Sequence, residues 1–416
     1  MRPGSLALAC VQLVRAGGRG LALFARPRVA GPVALAIYLL RASFLKAGLR
    51  HTDYAYFNFL ADAFLHGQLS LRLPPFDTLD LIYFAGKEYV YWPPFPAIVI
   101  APLVGLFGVG VSDIIYTAAF GALAVALLAA LFAALDRTGL APLSVERRSI
   151  LVVTCAFGSV LLTLAPLGKV WFTGQLVGFD CVLVATLAAL TRRGRLCYLL
   201  VGTCLACALA TRVGLVFNGV WLAYYLFRRD YVRPRQWGAL ALWTVAPVAL
   251  AGSLLAWYNA ARFGSPLDMG LAYHHPAELF RADFERYGVF HLHYLPTNLY
   301  YQFVAYTPFT RERWMGGGLF WMTPVFLGAL YAIWRGRSSA LVWSLVLSCL
   351  LVYIPIGLVM GTGYLTFGPR YLLDLMVPLL VLTALGIRRW PVSLLLLLLG
   401  ISVITYALGS VMLQWA

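Results

Sequence analysis

Residues 51–67 read HTDYAYFNFLADAFLHG. A threonine and an acid, Asp53, stand before a run of aromatic and aliphatic residues. Positions 56/57, 60 and 64 recur at the spacing of one helix face, and Gly67 closes the segment. The pattern predicts an amphipathic helix lying in a membrane interface, aromatics down. It is also the first polar stretch after an apolar run, 27–45, long enough to cross a bilayer. Asp53 falls at the N-terminal end of the helix. An aspartate there is a good N-cap. The positive helix end also favours the ionised carboxylate, which can accept a proton from a hydroxyl or bind a metal. Spacing leaves both roles open.

Outward from this stretch the chain is mostly apolar. Of its 416 residues 62% are hydrophobic and 12% charged, where soluble domains have about 45–50% and about 25%. No soluble fold hides that much apolar surface. Stretches long enough to span a bilayer fall near 27–45, 111–135, 150–167, 176–191, 196–212, 213–228, 237–257, 318–334, 339–359, 370–387 and 391–413. The predicted fold class is an all-α polytopic membrane protein of about eleven transmembrane helices with juxtamembrane helices on its outer face, one integral domain over 1–416. Two ambiguities remain: 196–228 is long enough for one overlong helix, and 93–108 is apolar enough for a twelfth span.

Charge resolves both. With the N-terminus in the cytoplasm and 93–108 only dipping into the outer surface, 19 of the 32 basic residues fall on the cytoplasmic side, opposed by Asp136, Glu146 and Asp230 alone. The whole net charge of +16 then sits on one face, the positive-inside pattern. Fusing 196–228, or making 93–108 cross, breaks that pattern. Pro93, Pro94 and Pro96 also suit a bent entry. Topology thus explains the basic charge, and no nucleic-acid partner is needed. Residues 1–26, carrying Arg2, Arg15, Arg19 and Arg26, read as a basic cytoplasmic arm. The outer regions 46–110 and 258–317 are too long for simple connectors and should form the working surface. Seven cysteines lie in or beside apolar segments, which argues against a disulfide framework or zinc site. Cys204 and Cys207 read C-x-x-C, better explained as small-residue packing on an apolar helix.

Several residues carry candidate chemistry. In DLIYFAGKEYVYWPPFP (80–96) two apolar runs flank Gly86-Lys87, which predicts a hairpin. Its Tyr89, Tyr91 and Trp92 are membrane anchors or a platform for a sugar ring. Asp180 sits at the start of an expected span near the outer edge, where an acid is costly and functional by default. Arg212, Arg262 and Arg370 map to the same edge, as a phosphate clamp or as snorkelling side chains. Arg370 and Asp374 stand four apart, the spacing of an intrahelical pair. His274, His275, His291 and His293 invite a metal reading, but nothing in the sequence requires a divalent metal.

The stretches HTDYAYFNFLADAFLHGQL, YWPPFPAIVIAPLVGLFG, YNAARFGSPLDMG and FGPRYLLDLMVPLL, with the basic arm and the single span before an early outer-loop aspartate, resemble the GT-C superfamily of membrane glycosyltransferases. The nearest likeness is to bacterial relatives of protein mannosyltransferases and aminoarabinose transferases. The resemblance implies transfer of a sugar from a polyprenyl-phosphate carrier to a lipid, protein or polysaccharide acceptor, at the outer face of the bacterial cytoplasmic membrane, with inversion. It makes Asp53 the base that activates the acceptor hydroxyl and Asp180 the second acid. It puts donor phosphate on Arg370, with Arg212, Arg262 and Lys87 as further ligands. A transporter or flippase of an amphipathic solute, or a non-catalytic assembly factor, are the alternatives. Matching halves and broken mid-membrane helices would mark the transporter, and the sequence has neither.

Overall fold

Backbone in hydrocarbon must bond within its own segment, and each of the eleven apolar stretches is helical in the computed structural model, which describes residues 20–45, 48–230, 234–307, 315–364 and 366–414. Most of the basic arm lies outside the described residues. Among the described residues seven helices are long and apolar enough to cross a membrane. Several of the apolar stretches, two of those seven among them, are interrupted where the sequence supplies a breaker. The third stretch stops at Gly158 and resumes as Leu161–Leu164. Pro324 divides 319–335 into a short turn and the helix Leu327–Arg335. A 3-10 turn, Arg370–Leu375, precedes the helix Met376–Ile387.

The break in 196–228 falls where the charge pattern predicts. Residues 196–228 break at Ala210–Arg212 into the helix Gly194–Leu209, a 3-10 segment Val213–Asn218 and the helix Gly219–Asp230. The helix Phe95–Phe107 has 13 residues, about 20 Å of rise against a hydrocarbon core of about 30 Å. Small residues let helices approach closely. Gly386 faces the backbone of Gly328, so a Cβ there would collide with the Gly328 carbonyl.

Loops sort to two ends. At one end Arg147 donates to the Trp390 carbonyl (3.0 Å), Arg193 pairs with Asp230 (3.0 Å) and Arg148 with Asp136 (3.6 Å). These are the basic loops. At the other end the Val170 amide donates to the Tyr54 carbonyl (3.0 Å), the Phe95 amide to Ala210 (3.0 Å), and Arg212 pairs with Asp374 (2.8 Å). The two long polar regions meet there too. The Asp80 amide donates to His275 and the His275 amide to Leu81, both at 3.0 Å.

At this second end the strands Leu81–Phe84 and Lys87–Val90 pair antiparallel. The turn is Ala85-Gly86, not Gly86-Lys87. Both turn residues have positive φ, 50° and 73°, as the right-handed strand twist demands of a two-residue hairpin. The helix Tyr56–Leu65 does not lie aromatics-down on lipid. Residues 56–63 are all buried, and Tyr56, Phe57 and Leu60 pack against Val90, Trp92, Ile100 and Val104. Its polar positions are internal as well. Asn58 donates to the carbonyls of Val109 and Val111 and accepts from the Tyr116 hydroxyl. Asp62 takes two hydrogen bonds from Arg72.

Candidate active site

Asp113 organises the site without entering it. It opens the helix Asp113–Arg137, behind a Ser112 cap. Its buried carboxylate accepts the Thr52 amide (2.8 Å), the Thr52 hydroxyl (2.5 Å) and the Lys169 amide (2.9 Å). One acid thus fastens two distant loops and brings Lys169 into the field of Asp53. Gly168 passes close to this carboxylate at φ +62°, where a side chain would collide. Lys169 itself holds φ +67°, a region side chains rarely adopt. Such strain survives only where its surroundings enforce it.

Asp53 is exposed, and among the described residues its carboxylate makes no hydrogen bond. It is not a helix cap: the cap position is Ala55, with no side-chain bond to the helix. The Lys169 ammonium lies 5.1 Å from the Tyr54 ring centre and in the fields of Asp113, Arg370 and Asp53. Burial pushes its pKa down, and those two acids offset part of the shift. Burial and Asp77, Asp53 and Asp80 raise the Tyr54 hydroxyl to about 12.

Beyond Tyr54 the site continues through aromatic rings. Trp171 lies 5.0 Å from Tyr54 and 6.1 Å from Trp92 between ring centres. Its indole N–H donates to Asp80 Oδ2 at 3.0 Å. The imidazole of His274, from the second long polar region, lies against the other oxygen of Asp80 and 5.1 Å from the Tyr91 ring. Burial raises the Tyr91 hydroxyl, which also lies in the opposing fields of Asp80 on one side and Arg212 and Arg370 on the other.

The far wall is cationic. Arg212 Nε donates to Asp374 Oδ2 at 2.8 Å, and its two terminal nitrogens have no hydrogen bond among the described residues. Arg370 is 7% exposed. Its Nε is buried without a partner, and its nearest polar contact is the Tyr371 hydroxyl at 3.5 Å. The guanidinium sits over the rings of Tyr371 (4.7 Å) and Phe172 (5.4 Å). The Arg370–Asp374 pair expected from spacing does not form, because residues 370–375 wind as a 3-10 turn, which moves positions four apart off a common face. Asp374 binds Arg212 instead.

Three other candidates lie elsewhere. Arg262 donates to the Val90 carbonyl (3.0 Å) and to Asn259 Oδ1 (3.0 Å), and stacks 3.7 Å over Tyr258. It clamps the hairpin. Lys87 begins the second hairpin strand, exposed and without an ion pair among the described residues. Asp180 is not at a membrane edge. Its helix begins at Val170 rather than 176, so the acid sits three turns in, buried, both oxygens without a hydrogen-bond partner. His291 and His293 stack against Tyr287, and among the described residues no group of three or more His, Cys, Asp or Glu is placed to hold a metal.

A groove of about 1020 Å³ lies beside the site, between the helices Phe95–Phe107, Gly194–Leu209 and Pro234–Phe263. Its lining is apolar. Leu250, Leu254 and Trp257 along it are more than half exposed, so it opens sideways toward lipid. At one end it reaches Pro94 and Ala210, three residues from Tyr91 and two from Arg212.

Sequence reading missed Asp113, Lys169, Asp80 and Trp171 as site residues. Lys169 had one available signal, since it is one of only three lysines. Asp113 looked like an ordinary acid opening a helix.

No protein-family model matches the chain, and no curated protein sequence does. Its structure is similar to the crystal structure of ArnT from Cupriavidus metallidurans in the apo state, at 15% identity and a TM-score of 0.52. It is also similar to ArnT of that organism bound to undecaprenyl phosphate, at 16% identity and a TM-score of 0.46. Each match covers 86% of this chain and 59% of the other, so the chain spans less than two thirds of ArnT's length. At such identity the likeness is one of fold: the chain has a polytopic helical fold similar to that of ArnT.

Proposed function

We propose that the protein is a glycosyltransferase that moves a sugar from a polyprenyl-phosphate carrier to an acceptor at the outer face of the cytoplasmic membrane. The observation that carries this is the buried, under-bonded Arg370 guanidinium and the free terminal nitrogens of Arg212, two residues along the chain from Ala210 in the lining of a lipid-facing apolar groove. Buried donors are normally satisfied, and a guanidinium fork matches phosphate oxygens. A polyprenyl tail fits the groove, which holds its phosphate against the arginines.

In this mechanism the acceptor hydroxyl attacks the sugar carbon from the face opposite the phosphate. Its proton passes to Asp53, the bond to the acceptor oxygen forms, and the carbon–phosphate oxygen bond breaks. One displacement inverts the centre and needs no enzyme nucleophile. Arg212, Arg370 and Lys169 take up the charge that develops on the leaving phosphate, in surroundings shielded from water by Tyr91, Phe172 and Tyr371. Asp53 suits the base because nothing else engages its carboxylate. The test is incubation of the purified protein with radiolabelled polyprenyl-phosphate sugars. Label should move to an acceptor in membranes with the native protein and stay on the carrier with Asp53→Asn. Equal transfer by that variant would remove the proposed base.

One observation favours a second reading. Asp180, unpartnered in mid-helix, is the kind of residue that transporters use for a coupling ion or proton. Transport of a lipid-linked solute across vesicle membranes, lost in Asp180→Asn and kept in Asp53→Asn, would favour it.

A further inference from the structure

We propose that Asp80, His274 and Trp171 form a recognition subsite for the hydroxyl groups of the transferred sugar, an inference that rests on the glycosyl-transfer reading above. The three residues come from separate parts of the chain and meet beside Tyr54, which lies in the field of Asp53, and Tyr91, which lies in the fields of Arg212 and Arg370. A sugar joined to the phosphate and attacked by an Asp53-activated hydroxyl must lie between Asp53 and the arginines.

His274 supplies the main evidence. Its side chain is 7% exposed, yet neither ring nitrogen has a hydrogen-bond partner among the described residues. Nε2 lies 3.3 Å from Asp80 Oδ1, near but out of alignment. Whichever nitrogen carries the proton, a buried donor and a buried acceptor are left open. Sugar hydroxyls both donate and accept, so one or two of them complete this ring. Asp80 keeps lone pairs beyond the indole N–H it already receives. Its backbone is held at φ +64°, an uncommon conformation for a residue other than glycine.

The surroundings suit a ring sugar. Trp171, Tyr54, Trp92 and Tyr91 form a continuous aromatic wall, against which the apolar face of a sugar can lie. The subsite also needs both long polar regions in place, because His274 is delivered by the backbone bridge between Ile82 and His274.

The competing account is that Asp80 and His274 merely fasten the two regions together. Binding of undecaprenyl phosphate, bare or carrying glucose, mannose, galactose or arabinose, to the full-length protein in nanodiscs separates the two. At least one glycosylated carrier should bind about ten- to hundredfold more tightly than the bare carrier, the margin of one or two hydrogen bonds to a charged group. His274→Gln and Asp80→Asn should lose that margin and bind bare carrier as the native protein does; Asn is chosen because it tolerates positive φ. Trp171→Phe, which keeps an aromatic ring and removes the N–H, should shrink it. Arg370→Ala should weaken bare and glycosylated carriers together. Equal loss for both carriers in the His274 and Asp80 variants would mean a structural clamp and overturn the subsite. So would a native protein that binds no glycosylated carrier better than the bare one. A native protein that binds no carrier at all would overturn the glycosyl-transfer reading itself.

Discussion

The two ends of this helical bundle handle charge in opposite ways. At the basic end Arg229 donates to Asp230, to the Arg192 carbonyl and to the Ala189 carbonyl, while Arg193 and Tyr198 also hold Asp230. Nε of Arg147 and of Arg148 lacks a partner there, but another nitrogen of each guanidinium is engaged. At the other end Arg370 has a single 3.5 Å contact, His274 has no aligned partner, and Asp53 stands free. A buried polar group without a partner costs about 1–3 kcal/mol. Such a cost persists where a ligand completes the group, and functional sites are where proteins tolerate it. The number of charges therefore reports topology, and at this second end the bonds they lack mark the proposed site.

Replacing the freest charge should break this contrast most. Asp53→Asn is expected to lower turnover by about 10²–10⁴-fold, the usual worth of a general base. Melting should change little, because no hydrogen bond is lost and only the Asp53 contribution to the field on Lys169 goes. A variant that keeps a tenth of native turnover would show that the exposed carboxylate is not the base. Next comes Arg370→Ala, expected to raise the KM for the carrier about ten- to hundredfold. Arg370→Lys should rescue little, since an ammonium cannot make the two-pronged contact. Full rescue would reduce Arg370 to a simple positive charge.

Lys169→Met should lower turnover several-fold and raise stability. Burial depresses the folded-state pKa of Lys169 below its unfolded value. The unfolded chain then binds more protons between the two values, so stability rises with pH across that window. Below it the cost of burying the charge is fully present. Methionine removes that cost, so Tm should rise near neutral pH and its increase toward alkaline pH should flatten. A lower Tm in this variant would show that the ammonium is stabilising where it lies. The smallest effect on turnover belongs to the basic end. Arg229→Ala should leave transfer intact while destabilising the fold by about 1–3 kcal/mol, measured by thermal melting in detergent. Reduced turnover at native stability would mean that the two ends are coupled.

Much of the fold was legible because the forces that set it act along the chain. Hydrocarbon demands continuous apolar helix, and the eleven stretches are helical for that reason. The positive-inside asymmetry separated 196–212 from 213–228 and kept 93–108 out of the count of spans. Less of the site was legible. Asp53 stood out as an early polar acid, and Arg212 and Arg370 as cations at a membrane edge. Arg262 looked equivalent to them, and only the hairpin packed beneath it shows that its donors are taken. Asp180 was misplaced because the polar residues of GKVWFTGQ conceal six further helical residues.

By itself, then, the sequence determined that this chain is a polytopic helical bundle and where its apolar helices lie, because hydrophobic length is a local, additive quantity. Tertiary structure alone decided which charges are already engaged. Asp374 turns to Arg212 because of a 3-10 turn, Asp113 binds two loops that are 117 residues apart in the chain at Thr52 and Lys169, and His274 reaches Asp80 through a bridge between distant loops. Each is a hydrogen-bond choice among competing partners, and such choices are fixed only when the whole chain has folded.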